Sequence, residues 1–411
     1  MEFIADLHIH SKYSRATSKD MDVKNLARWA RLKGITLLGT GDFTHHLWLE
    51  ELKTHLESKD NGIFIYENVH FMLTAEISCI YSKGGKTYRV HLVVFAPSFK
   101  IVDKINDTLG RYGNLASDGR PILGMDAKEV ARIIWDICED CFIVPAHVWT
   151  PWFSVFGSMS GFDKIEDCFE ELTSKIYCLE TGLSSDPAMN WRLSTLDRFS
   201  LISNSDAHSP SKLGREANVF NCELDYKTIL DVLKKKDKDK FLYTVEFFPQ
   251  EGKYHFDGHR ACDIRLSPEE TKKHNGICPK CGRRLTVGVM NRVEQLADRP
   301  IDFIPTGAIP FRNLIPLDEI IADARKIGKT SQAVKREYLS IVGKFDNEFE
   351  VLLKVPKEQL MTSISSRVAE GIMRVREGQV NILPGYDGEY GKIEIFGDEE
   401  KKEADKQLSL F

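Results

Sequence analysis

Histidines and carboxylates fall at the ends of successive β-rich segments in the first 245 residues. "EFIADLH" leads into His8 and His10, "FSLISNSDAH" ends with Asp206 and His208, and His91 lies inside an apolar segment. The other members of this set are Asp6, Asp42, Glu76, His147 and Glu180. Because the carboxyl ends of parallel strands share one face of an α/β fold, we expect these side chains to converge.

The stretch "DLHIH" suits a metal site. In a strand, His8 and His10 point to the same face, so both imidazoles can bind one ion. Asp206 and His208 repeat the two-residue spacing. Nitrogen and carboxylate ligands together favour zinc, manganese or iron, and a set this rich predicts two or three ions bridged by carboxylates. Water activated by metal is the expected nucleophile.

The elements that position these residues alternate between short β-rich segments and amphipathic helices. Seven such segments predict an α/β domain with largely parallel strands, close to what a barrel needs. We divide the chain into a metallohydrolase barrel over 1–245, a zinc-binding module over 246–299, a mainly helical region over 300–396 and a flexible tail over 397–411.

The module contains two ligand pairs, "HRAC" from His259 to Cys262 and "CPKC" from Cys278 to Cys281. This spacing predicts a closed structural zinc site with three cysteines and one histidine. His255 and His274 are rival fourth ligands. Between Thr271 and Arg292 there are six Lys or Arg residues and no acid, a candidate surface for DNA phosphates.

Composition narrows the class of protein. The formal net charge is −5, so no global basic character indicates nucleic-acid binding. No run of about 18 apolar residues is present, and no basic segment precedes the first strand. We therefore expect a cytoplasmic protein.

The barrel motifs together resemble the polymerase and histidinol phosphatase (PHP) superfamily. They are the His8 and His10 pair, Glu76, His91, "PAH" at His147 and "SDAH". "GTGDFTH", "AHVWTPWFSVFG", the cysteine module, "RVAEGIMRVREG" and "PGYDGEYGKI" extend the resemblance to the endonuclease Q family over nearly the whole chain. This resemblance implies a distorted seven-stranded β/α barrel and nicking of DNA 5′ of uracil, hypoxanthine, xanthine and abasic sites, by a nucleoid-associated enzyme.

The resemblance also implies the roles of individual residues. Asp206, Glu76, His8 and His10 are the expected catalytic residues. The expected ligands of two or three zinc, manganese or magnesium ions are His8, His10, Asp42, Glu76, His91, His147, Asp206 and His208. The family's second motif usually reads Asp-His, where this chain has Asp42 and Phe43, so His45 and His46 are alternatives to Asp42.

Aromatic residues follow His147 directly. An enzyme that selects a damaged base inside a duplex must expose that base. Trp149, Trp152 and Phe153 are therefore candidates for the walls of a pocket for a flipped base, and the alternative is a hydrophobic plug under a loop.

The tail is highly charged from 397 to 406 and ends in "QLSLF". This ending resembles the pentapeptide by which bacterial repair and replication proteins bind the sliding clamp. Gln407 would orient the peptide, and Leu408, Leu410 and Phe411 would fill the clamp pocket. In the alternative, Leu408 and Phe411 fold back on the body of the protein.

Three other functions compete with a repair endonuclease. A small-molecule phosphatase and a polymerase-associated exonuclease would both use the metal site, and a DNA-binding scaffold would leave it inactive. The phosphatase leaves the zinc module and the tail without a function.

Overall fold

The computed structural model of the chain describes residues 1–397 as a mixed α/β protein. The predicted clamp-binding residues Gln407, Leu408, Leu410 and Phe411 lie outside the described residues. Within residues 1–397, no helix has both the length and the apolar character needed to cross a bilayer.

The strands and helices of residues 1–397 are numbered in chain order. The strands are β1 (Glu2–Asp6), β2 (Leu37–Gly39), β3 (Glu57–Ser58), β4 (Phe64–Tyr66), β5 (Val69–Lys83), β6 (Lys86–Ala96), β7 (Ile122–Leu123), β8 (Phe142–Pro145), β9 (Cys178–Glu180), β10 (Ser200–Ile202), β11 (Ala217–Asn221), β12 (Phe241–Glu246), β13 (Asp257–His259), β14 (Ile264–Leu266), β15 (Phe311–Asn313), β16 (Asn381–Leu383) and β17 (Lys392–Glu394). The α-helices are α1 (Val23–Lys33), α2 (His46–His55), α3 (Phe99–Leu109), α4 (Ala127–Ile137), α5 (Ile165–Phe169), α6 (Pro187–Trp191), α7 (Tyr226–Lys235), α8 (Pro268–Lys273), α9 (Val289–Leu296), α10 (Leu317–Arg325), α11 (Gln332–Val342), α12 (Lys357–Ser363) and α13 (Ser366–Arg376).

All seven predicted β-rich segments form strands, namely β1, β2, β5, β6, β8, β9 and β10. An 11-stranded sheet contains the first five of them, β9 pairs in parallel with β10, and β9 lies beside β8. The chain after β10 then returns to the end of β1. There, His10 N–H donates to the Ala207 carbonyl at 3.0 Å, and Asp206 N–H donates to the His8 carbonyl at 2.9 Å. The strands thus close around the face that carries His8 and Asp206.

The prediction of largely parallel strands is confirmed for the pairs β1–β2, β2–β5 and β9–β10. It is wrong for β5 and β6, which form a long antiparallel hairpin from Leu73 and Ala96 to Lys83 and Lys86. The two residues between them, Gly84 and Gly85, have φ of 59° and 78°. A two-residue turn with positive φ matches the twist of a hairpin and connects adjacent antiparallel strands directly. The pairs β6–β8 and β1–β11 are also antiparallel.

The region after residue 300 packs against the barrel through α10 to α13 and also adds β15, which pairs in parallel with β12. A buried ion pair joins Lys33 Nζ at the end of α1 to Glu348 at 2.6 Å. Glu348 also accepts hydrogen bonds from the Leu317 N–H and the Tyr338 hydroxyl. Breaking such a fully bonded buried pair typically costs about 3–5 kcal/mol, so this contact holds the helical region to the barrel.

Candidate metal centre

The structure brings seven of the eight predicted metal ligands of the barrel into three overlapping donor groups. In each group, one ligand atom from every member lies within 4.8 Å of the others. The groups are His8, His10 and Glu76; His10, Asp206 and His208; and Glu76, His91 and His147. Because the groups share His10 and Glu76, they form one connected site.

The β5–β6 hairpin explains how Glu76 and His91 meet. Ser78 lies directly opposite His91 in the register, and Glu76 is two residues from Ser78 on the same strand. Side chains two apart on a strand, and side chains directly opposite across a pair, point to the same face. The oxygen Glu76 Oε1 consequently lies 2.7 Å from His91 Nδ1 and 3.0 Å from His147 Nε2.

A buried carboxylate supports each histidine of the first motif. His8 Nδ1 lies 3.0 Å from both oxygens of Glu180, and His10 Nδ1 lies 2.9 Å from Asp42 Oδ1. An ionised carboxylate only accepts hydrogen bonds, so both Nδ1 atoms carry the proton. In the neutral imidazoles, each Nε2 lone pair then faces the centre.

These Nε2 atoms fit metal binding. The Nε2 atoms of His8 and His10 and Asp206 Oδ1 are buried and have no hydrogen-bond partner among residues 1–397. His10 Nε2 is 3.0 Å from Asp206 Oδ1 and 3.3 Å from Glu76 Oε2. Metal-binding histidines almost always donate their second nitrogen to a carboxylate or carbonyl. The donor set therefore has the composition and the supporting contacts of a site for divalent cations.

Asp42, the eighth predicted ligand, is absent from the three donor groups and contacts His10 instead. Its Oδ1 accepts from His10, and its Oδ2 accepts from the Ser11 N–H, the Ser11 hydroxyl and the Ser14 hydroxyl at 2.6–2.9 Å. Both oxygens are thus occupied by protein donors. The alternatives His45 and His46 are also outside the donor groups.

Three residues of the centre have unusual backbone conformations. His147, Asp206 and Asp42 have φ of 30°, 47° and 49°. A side chain with a β-carbon rarely adopts these values, and such conformations cluster at functional sites, where the surrounding structure holds them. The fold therefore forces these three side chains toward the centre.

The charges in the centre favour a bound cation. Burial alone would raise the pKa of Glu76, but His91, Arg120 and His8 outweigh it and hold this pKa well below its usual range. Burial lowers the pKa of His91 to about 4, although Glu76 opposes the shift. Glu76 is thus ionised, and an ionised carboxylate is the form that binds a metal.

Sequence reasoning missed Arg120, which enters the centre from the loop between α3 and α4. Its Nη1 donates to Glu76 Oε2 at 3.0 Å, and its backbone N–H donates to Asp118. A side chain at Gly119 would collide with Asp42 Oδ2 at 2.3 Å. Only glycine therefore lets this loop approach the centre closely enough to deliver Arg120. No strand or helix periodicity marks the loop in the sequence.

A cavity of about 450 Å³ opens beside the donor groups. His91, His147, Asp206 and Arg120 line it, and two of the predicted aromatic residues, Trp152 and Phe153, form part of its wall. The Phe153 ring packs on His91 with ring centroids 4.8 Å apart. The cavity can therefore admit a phosphate group to the donor atoms and an aromatic base beside it.

Trp149, the third predicted aromatic residue, lies in the hydrophobic core and is not among the residues that line this cavity. Only 1% of this residue is exposed, its indole N–H donates to Asn190 Oδ1 at 2.8 Å, and its ring packs on Phe156. Trp149 belongs to the hydrophobic core because its polar atom already has a buried partner there.

The module brings its four predicted ligands together. One ligand atom each from His259, Cys262, Cys278 and Cys281 lies within 4.8 Å of the others. The rivals His255 and His274 do not belong to this group. The Arg283 N–H lowers the pKa of the Cys281 thiol to about 7, which favours the thiolate that binds a metal. This local group is suited to zinc.

The curled sheet and the linked histidine–carboxylate groups define a metal-dependent hydrolase. Comparison with solved structures identifies its family. The chain is similar to the lesion-specific endonuclease PfuEndoQ from Pyrococcus furiosus, with a TM-score of 0.87 and 33% identity over 100% of this chain and 99% of that one. It matches endonuclease Q in complex with a 27-mer duplex substrate bearing an abasic lesion, with a TM-score of 0.85 and 33% identity over 98% of both chains. The chain belongs to the endonuclease Q family.

Two sequence comparisons give further similarities. Residues 316–379 match the family of the MJ0043 C-terminal domain. The protein MJ0043 from Methanocaldococcus jannaschii is 38% identical over 254 residues, which are 60% of this chain. The match spans 31% of the length of MJ0043.

Proposed function

We propose that this protein is a DNA repair endonuclease that hydrolyses the phosphodiester bond 5′ of deaminated bases and abasic sites. The observation that carries the proposal is the cavity that Arg120 lines together with members of two of the linked donor groups, Asp206 of one and His91 and His147 of the other. The full-length similarity to a lesion-specific endonuclease supports the same conclusion.

The seven residues of the donor groups would hold two or three zinc, manganese or magnesium ions. Such ions, when bound, lower the pKa of a water molecule and offset negative charge on the scissile phosphate. Glu180 and Asp42 keep His8 and His10 in a single tautomer, with Nε2 directed at the centre. Glu76 belongs to two of the groups and so links them.

Arg120 adds a fixed positive charge that requires no metal. The guanidinium uses Nη1 for Glu76 and lines the cavity. Its other N–H groups donate to no residue within 1–397 and can bind a phosphate oxygen. Asp118 bonds the backbone N–H of both Arg15 and Arg120 and thereby fixes the loop that presents them. Arg15 also pairs with Asp118 through Nε at 3.3 Å, and it lines the same cavity.

Damaged DNA is the proposed partner, since the similar endonuclease Q has been captured on a duplex with an abasic lesion. Trp152 lines the cavity and would contact a flipped base. Phe153 packs on His91 and would hold the His91 imidazole in place.

The predicted basic surface of the module is solvent-exposed. Its exposed members are Lys272, Lys273, Lys280, Arg283 and Arg284. We propose that this surface binds the DNA backbone.

The tail provides a second proposed contact, with the bacterial sliding clamp. The charged segment before Gln407 would act as a tether, and the terminal apolar side chains would occupy the clamp pocket. Capture of the full chain on immobilised clamp, compared with a chain truncated after Lys406, tests this contact. Equal capture of the two chains would refute it.

The test of the proposed function is incubation with manganese and an end-labelled duplex that carries one internal deoxyuridine, deoxyinosine or abasic site. We expect a single incision immediately 5′ of the lesion, mapped on a sequencing gel, and no incision of the undamaged duplex. An Arg120→Ala variant should cut the same bond about 10²-fold more slowly, because it lacks a preorganised donor. Failure to cut, together with release of phosphate from small monoesters, would assign the protein to the phosphatases.

A further inference from the structure

The loop of residues 384–391, within the "PGYDGEYGKI" stretch, joins β16 to β17 and packs against the zinc module. Its backbone is bonded to the segment that leads into the module. The Gly385 N–H donates to the Gln250 carbonyl at 2.8 Å. The Gly388 N–H donates to the Lys253 carbonyl at 3.0 Å. The 384–391 loop therefore has a fixed position beside the module, although it lies far from it in sequence.

Tyr386 of this loop contacts both ends of the first ligand pair, "HRAC". Its ring lies so close to Gly258 that no side chain could be accommodated there, and its hydroxyl donates to Asp263 Oδ1 at 2.9 Å. Gly258 directly precedes His259, and Asp263 directly follows Cys262. Tyr386 thus packs on the backbone that enters and leaves this pair.

Asp387 connects the two halves of the module. Its Oδ2 accepts a hydrogen bond at 2.6 Å from the N–H of Arg260, which lies within the first ligand pair. Its Oδ1 accepts a hydrogen bond at 2.6 Å from the hydroxyl of Thr286, which lies just after the second pair, "CPKC". Arg260 and Asp387 are 127 residues apart along the chain. One distant carboxylate consequently joins the chain segments that carry the two pairs.

A tetrahedral zinc ion requires its four ligand atoms at fixed positions, so the two pairs must keep one separation. The spacing within a pair brings its own two donors together but does not by itself set that separation. We propose that Asp387 is a positioning residue of the zinc site, which fixes the two ligand pairs relative to each other through Arg260 and Thr286. Because coupling between two binding events is reciprocal, a metal bound to the module also stabilises the 384–391 loop.

Cobalt(II) is a probe for the module in the full-length protein. Cysteine thiolates bound to cobalt give a charge-transfer absorption, and the three donor groups of the barrel contain no cysteine. A cobalt titration followed by displacement with zinc therefore measures the affinity of the module for both metals. No DNA is involved, so a negative result leaves the proposed nicking function untouched.

The test compares three variants. Asp387→Ala should lower the affinity for cobalt and zinc about 10- to 100-fold, the usual cost of removing a group that supports metal ligands. Asp387→Asn should restore most of the affinity, because its amide offers an acceptor to the Arg260 N–H and a donor to the Thr286 hydroxyl. Asp346→Ala is the matched control, since Asp346 is exposed in the helical region and has a φ of 70°, against 45° for Asp387. It should bind both metals like the wild-type protein.

Wild-type affinity in Asp387→Ala would overturn the inference. An equal loss in either of the other two variants would also overturn it, since the two hydrogen bonds would then not be the cause. Hydrogen exchange tests the reciprocal effect with Asp387 intact. In a Cys281→Ser variant, which lacks one ligand, the amides of Gly385 and Gly388 should exchange faster than in the zinc-loaded wild-type protein. Equal exchange rates in the two proteins would overturn the inference as well.

Discussion

The protein has two candidate metal sites of opposite construction. In the barrel, the donors come from distant parts of the chain, from His8 to His208, and most of them are buried. In the module, all four donors come from one short segment, from His259 to Cys281, and Cys281 is exposed. The barrel site thus depends on the whole fold, whereas the module site depends on local spacing.

The two sites also differ in what surrounds the donors. The module offers four donors in one closed group, which is the number that a structural zinc ion requires. The barrel offers seven donors in three linked groups, supporting carboxylates behind His8 and His10, and an adjoining cavity. Open positions and access for a substrate are features of catalytic sites. The comparison predicts that the barrel site controls the chemistry and that the module site controls local stability and DNA affinity.

The largest effect should come from Asp206→Asn. Asparagine has nearly the same volume as aspartate and also tolerates positive φ, but it lacks the negative charge of the donor. We expect the nicking rate at saturating DNA to fall at least about 10³-fold, equivalent to ~4 kcal/mol of transition-state stabilisation. Asp346→Asn is the matched control, since Asp346 is exposed and has a φ of 70°. A near-normal rate in Asp206→Asn would remove Asp206 from the centre.

A smaller effect should follow from Asp42→Asn, which tests a supporting residue. An asparagine amide cannot accept the hydrogen bonds of His10, Ser11 and Ser14 as a carboxylate does, so His10 loses its fixed tautomer. We expect activity or affinity for the added metal to fall about 10- to 100-fold, measured by titrating manganese in the nicking assay. Asp60→Asn changes an exposed aspartate with a φ of 61° and should have no effect. A loss as complete as that of Asp206→Asn would show that Asp42 is itself a ligand.

The smallest effect on chemistry should come from Cys281→Ser. We expect the zinc content to fall by one ion per chain and the apparent DNA affinity to fall about tenfold at physiological salt, because the basic surface loses its fixed geometry. The single-turnover rate at saturating DNA should stay close to that of the wild-type protein. Elemental analysis and a binding titration measure the first two quantities. If this variant stopped cutting saturated substrate, the separation of the two sites would be wrong.

The sequence predicts some features of the centre well and others poorly, for identifiable physical reasons. Within "DLHIH" and "SDAH", strand periodicity places the two ligand candidates of each stretch on one side, and this rule is local. The general rule that parallel strands end on one face then predicts that the two stretches meet. Asp42 occupies the expected place, but its role depends on Ser11 and Ser14, whose hydroxyls take up its second oxygen. Whether the second oxygen of Asp42 binds a metal ion or these two hydroxyls depends on the folded geometry, which the sequence pattern does not give.

Arg120 and the β5–β6 hairpin show two further limits. Arg120 lies in an irregular loop whose approach depends on the space beside Asp42, so no periodic pattern indicates it. The hairpin, in contrast, has a signal in "KGGK", because consecutive glycines favour the tight turns that join antiparallel strands. The alternation of strands and helices elsewhere in the barrel outweighed that signal in the prediction of parallel strands.

The positive φ angles of Asp42, His147 and Asp206 have a consequence for directed evolution of this enzyme. Each such conformation costs about 1–3 kcal/mol in a residue with a side chain, and glycine or asparagine reduces that cost. A library screened for heat resistance alone would therefore enrich replacements at these three positions and lose the enzyme's activity. A screen for a more durable variant must select for DNA nicking in the same round.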